Sequence, residues 1–86
     1  MDDCKAKSWI THYVGNSLFQ LPFNYEQGNL SGADEVRVRL ISSLEELEGH
    51  SLLNFVLERL RKDDWRNEDS SNRFREWYSN WKSKNF

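Results

Sequence analysis

One cysteine, one proline and one methionine stand in a chain of 86 residues, and basic side chains fall short of acidic ones, 12 against 14. Each shortage excludes something. A lone Cys4 cannot close an intramolecular disulfide, and a domain this small in an oxidising compartment is normally stapled by two or more. The reading is therefore an intracellular, cytoplasmic protein. Long apolar runs are missing too: the best, over residues 52–57, is interrupted by Asn54, and the opening MDDCKAKSW has no apolar segment of signal-peptide type. Neither a leader, a spanning helix nor a membrane partner is expected. The formal charge of -2 argues against a strongly basic nucleic-acid binder when only the total is considered.

Reaction motifs are also wanting. No G-x-x-x-x-G-K-[ST] or G-x-G-x-x-G segment is present to cradle a phosphate. Cys4, His12 and His50 are the only Cys and His side chains, spaced unlike a zinc site, which takes about four N or S ligands. The acidic run over residues 63–69 fails as a calcium loop because Trp65 holds the third position and Glu68 the sixth, where the turn needs glycine. No Ser or Cys has a base and an orienting third group at a recognisable spacing. The expectation is a protein that is not an enzyme and carries neither metal nor cofactor.

What the chain does have is aromatic mass: four Trp, three Tyr and five Phe. A disordered segment is poor in such residues, so residues 1–86 read as one small globular domain. Charge is unevenly spread as well. Residues 1–49 hold four basic against eight acidic side chains, whereas residues 50–86 hold eight against six.

Ala6, Trp9, Ile10, Tyr13 and Val14 recur at helical spacing, with Asp2 and Asp3 at the favourable end of the dipole and Gly15-Asn16 as a stop. From residue 19 the period changes to two. Phe19, Leu21, Phe23 and Tyr25 alternate with Gln20, Pro22 and Asn24, which predicts a strand, and Pro22 confines it to a sheet edge. After a Gly- and Asn-containing loop, Val36, Val38 and Leu40 alternate with Arg37, Arg39 and Ile41, a second strand that closes an antiparallel hairpin. The competing reading makes Val36, Leu40, Leu44 and Leu47 one face of a helix. Ser43 to Glu46 has the form of a capping box, opening a helix that Gly49 divides, with His50 as a turn or cap residue and Ser51 as a second cap. Arg59, Arg61 and Lys62 suit its C-terminal end. A polar connector then carries Trp65 onto the core, and Ser70 or Ser71 opens a last helix striped by Phe74, Trp77, Tyr78 and Trp81.

The fold expected from these elements is α+β: an N-terminal helix, a two-stranded hairpin and two C-terminal helices covering it. An all-α bundle is the alternative. For function, the last helix is the informative element, because Trp and Arg dominate binding hot spots. The expected activity is non-catalytic protein binding, by a small adaptor, regulator or inhibitor. Its candidate residues are Arg73, Trp77, Trp81, Lys82 and Lys84, together with the acidic Glu45, Glu46 and Glu48. The same stripe would serve a homodimer. RNA or single-stranded DNA binding through the basic and aromatic side chains is the second reading, ranked lower because the acidic first half repels a phosphate backbone.

Overall fold

In the computed structural model, which describes every residue except Glu48, the first helix does not stop at Gly15. The element α1 (Asp3–Glu26) runs on for 24 residues and is followed by α2 (Leu30–Glu46), α3 (Ser51–Lys62) and α4 (Glu68–Asn85). Among the described residues there is no strand. The α+β expectation with its hairpin is thereby corrected to the all-helical alternative.

The reason lies in a coincidence of periods. Residues at 19, 21, 23 and 25 alternate, but they are equally two pairs spaced i, i+4. Leu21 is buried and Tyr25 half-buried on the inner side of α1, in line with Ala6, Ile10, Val14 and Ser17, while Phe19 and Phe23 face outward. Pro22 sits inside this helix on its exposed side. Its ring removes the donor to the carbonyl of Leu18, a loss of about 3 kcal/mol for an interior position, offset by inward packing on both sides of it. In α2 the buried residues are Ala33, Val36, Leu40 and Leu44, again a helical stripe, and Val38 is exposed where a strand would have turned it inward with Val36 and Leu40.

Gly28 makes the turn between the first two helices. Its φ of 71° lies in the left-handed region that glycine enters freely. The N–H of Gly28 donates to the carbonyl of Tyr25 and that of Asn29 to the carbonyl of Asn24, a Schellman arrangement that turns the chain back on itself. Asn29 then caps α2 by accepting from the Gly32 N–H. Ser43 and Glu46 do not open a helix; they lie in the last turn of α2, where the hydrophobic stripe ending at Leu44 outweighs their capping pattern. His50 caps α3, its Nδ1 accepting from the Leu52 N–H while Nε2 meets the Asp3 carboxylate at the start of α1. Asn67, rather than Ser70 or Ser71, caps α4; both serines are buried and Ser71 holds the carbonyl of Glu68.

Trp65 ties α1, α2 and α4 together. Its indole is fully buried, 5.4 Å from the ring of Phe74. Its backbone N–H donates to the Asp34 carboxylate of α2 at 2.9 Å, and its carbonyl accepts from the Tyr25 hydroxyl of α1 at 2.7 Å. Asp34 also binds Arg37 Nε at 2.8 Å, and Arg37 reaches on to the carbonyl of Leu60 in α3. Burial pushes the Tyr25 hydroxyl above its ordinary range despite the Ser71 hydroxyl beside it. Tyr25→Phe removes the donor to a connector carbonyl that has no other partner among the described residues. It is expected to cost about 1–2 kcal/mol, read as a lower urea midpoint with an unchanged slope.

Candidate protein-binding surface

The aromatic stripe of α4 is divided by the helix it lies on. Phe74 and Tyr78 point into the core, with ring centroids 6.0 Å apart. Trp77 and Trp81 flank them, half-buried and stacked on each other at 5.6 Å. The Arg59 guanidinium lies 5.7 Å over the Trp77 ring, which places this flank against α3. Arg73, one turn before Trp77, lies on the same side of the helix and is exposed. Lys84, seven residues beyond Trp77, follows the same side of the helix and is exposed. Burial pushes the Asp63 carboxyl above its ordinary range in spite of Arg59.

Lys82 turns to the other flank of the stripe. Its ammonium stands 5.9 Å from the Tyr78 ring and 5.8 Å from that of Phe86, on the side of α4 that turns toward α1. Lys7 of α1 approaches the same Phe86 ring at 5.7 Å. At the opposite end, Tyr25 of α1 lies 2.8 Å from Ser71 of α4. The two helices therefore run antiparallel. Of the acidic candidates, Glu45 is paired with Arg61 at 3.1 Å on an exposed surface, and Glu46 is exposed at the last residue of α2. Glu48 lies outside the described residues. Among those described, no hydrogen bond or ion pair links Glu45 or Glu46 to α4, whereas Trp81 and Lys82 both reach the Phe86 ring.

No family model matches the chain, and neither does any curated protein or solved structure. The surface has only its own chemistry to speak for it.

That chemistry is concentrated where sequence reading did not look. Phe19 is 86% exposed and Phe23 63%, one helical turn apart on the outer face of α1. With Leu18, Pro22 and the backbone at Gly15 they line a cleft of about 570 Å³ whose far wall is Arg75 of α4. Arg75 also borders a second cleft of about 500 Å³, lined by Ser79, Ser83, Lys82 and Phe86. A smaller hollow of about 280 Å³ lies on the α3 flank, between Phe55 and Trp77. The signal for Phe19 and Phe23 was present in the sequence as an i, i+4 pair with a proline between them. It was masked by alternation with Leu21 and Tyr25.

Among the described residues no group of three or more His, Cys, Asp or Glu side chains is placed to hold a metal ion. No helix there is long and apolar enough to cross a membrane. Cys4 is exposed at the start of α1.

Proposed function

We propose that the chain is a small non-catalytic protein-binding module whose docking face is the outer side of α1 with the adjoining edge of α4. The observation that carries this reading is the exposed pair Phe19 and Phe23. A helix that is apolar on two opposite faces belongs between two layers, and only the inner face of α1 is covered. Other apolar side chains are exposed, Phe55 and Val38 among them, but Phe19 is the most exposed of all and adjoins Phe23 in a cleft rimmed by Arg75 and Glu26, as interaction sites do. The indoles of Trp77 and Trp81, by contrast, are engaged with each other and with Arg59. Their removal is expected to weaken the packing of α4 more than the binding of a partner.

The test is affinity capture from cell lysate with and without nuclease, comparing the natural chain with Phe19→Ser/Phe23→Ser. Both substituted positions are exposed, so the variant is expected to keep the helical circular dichroism of the parent. A stoichiometric protein should survive nuclease and be lost from the variant. Recovery that disappears with nuclease would transfer the basic edge of α4 to nucleic-acid binding, and a partner retained equally by both chains would exclude the α1 face.

A further inference from the structure

Shape and charge together narrow the occupant of this face. Building on the protein-binding reading, we infer that the trough between α1 and α4 takes an acidic amphipathic helix of a partner protein.

Shape excludes the commonest alternative. Strand addition needs a free sheet edge, and among the described residues every regular element is a helix whose amides are already used internally. What remains is a pair of adjoining clefts that share Arg75, one walled by α1 and by α4, the other lying along α4 toward Phe86. The rings of Phe74 and Tyr78 stand between α4 and the core, and Gly15, Ser79 and Ser83 place little bulk along the clefts. Phe19 and Phe23, one turn apart on the first cleft, and Phe86 on the second offer apolar contacts to a docked helix.

Charge supplies the sign. Arg75 lies between the two clefts, and Lys82 and Lys7 follow toward Phe86. None of these three is ion-paired among the described residues. Among the described residues Glu26 is the one acid lining either cleft. The trough is thus a cationic strip on a molecule of net charge -2, and carboxylates flanking an apolar ridge complement it.

The test uses the intact chain and three fluorescent probes at low ionic strength. One is a designed peptide of about five helical turns with Leu at i, i+3, i+4 and i+7 and Glu on the flanks. The second carries Lys for each Glu, and the third is oligo(dT). Anisotropy is expected to show micromolar binding of the Glu peptide, weakened about tenfold or more for the Lys peptide. Phe19→Ser/Phe23→Ser should lose binding of the Glu peptide, and Arg75→Glu/Lys82→Glu should reverse the preference between the two peptides. Equal binding of both peptides, retention by both variants, or tighter binding of oligo(dT) overturns the proposal. So does a dimer in sedimentation that Phe19→Ser/Phe23→Ser dissolves, because a second copy would then be the occupant. Failure here is separable from failure of the binding reading: a lysate protein lost from the phenylalanine variant, with no Glu-peptide binding, leaves a protein-binding module whose partner is of another chemistry.

Discussion

Trp65→Ala is expected to bring the domain close to its unfolding midpoint at 25 °C. Truncating a fully buried tryptophan costs about 3–5 kcal/mol through lost transfer energy and the cavity left behind, and a domain of this size holds roughly 5 kcal/mol in all. The position offers no easy collapse. Its backbone is held at the N–H by Asp34 and at the carbonyl by Tyr25, so the connector cannot move inward to fill the space without breaking bonds to both α1 and α2. Far-ultraviolet circular dichroism and a urea titration give the result directly. Trp77→Ala supplies the contrast, because that ring is half-buried and its loss should cost about 1–2 kcal/mol while leaving a cooperative transition. If Trp65→Ala retains a transition within about 1 kcal/mol of the parent, the indole does not hold the helices together.

Asp34→Ala is the second large effect. One carboxylate accepts from Arg37 and from the Trp65 N–H, with the side chains of Asp34 and Arg37 only 18% and 15% exposed. Removing it leaves a buried amide and a largely buried guanidinium without their acceptor, which is expected to cost about 3 kcal/mol. Asp34→Asn, which keeps an acceptor oxygen, should cost less. The acid limb of stability tests the same contact. The Arg37 hydrogen bond, helped by the Trp65 N–H, holds the Asp34 carboxyl below its ordinary 3.8. A carboxylate whose folded pKa is depressed contributes stability above its unfolded pKa and loses it as pH falls through the folded value. Asp63 has the opposite sign, because burial raises its pKa and protonation on acidification relieves a buried charge. Asp64, bound by Arg66 and held at about 2, shares the sign of Asp34 but is exposed, and salt screens it. In high salt, Asp34→Asn is therefore expected to flatten the loss of stability below pH about 3.8, and Asp63→Asn to steepen it; a variant profile parallel to the parent's would remove Asp34 from the acid transition.

The third and fourth helices were legible because their residues satisfy one period only. The stretch holding Leu53, Val56, Leu57 and Leu60 admits no alternation, and Phe74 with Tyr78 forms an inward i, i+4 row that matches its burial. The docking of Trp65 was also readable, from an indole set in an otherwise polar connector, and the cap at His50 only in part, since Ser51, which proves to be the first residue of α3, competed for that place. Residues 19–25 and 36–41 were not, since every second apolar residue is also every fourth apolar residue taken in two sets. Only long-range burial decides between them, and that depends on partners far along the chain. The same ambiguity hid the candidate surface. A strand reading turns Phe19 and Phe23 inward with Leu21, whereas a helix sends them to the opposite side. The Asp34–Arg37 pair was invisible for a different reason: its targets, the Trp65 amide and the Leu60 carbonyl, are backbone atoms with no signature in side-chain order.

The manner in which α4 is attached couples recognition to folding. This helix meets the rest of the molecule mainly through rings, from Phe74 against Trp65 to Phe86 beneath Lys7, and it supplies one wall of the cleft beside Phe19 and Phe23. Undocking α4 thus abolishes that cleft even while α1 and α2 stay paired. Anything lodged there is a ligand of the docked state alone, and at a hundred times its dissociation constant it adds about 2.7 kcal/mol to the closure of that junction. Occupancy and rigidity then rise together, so that the free module is the looser form and the bound one behaves as a single body.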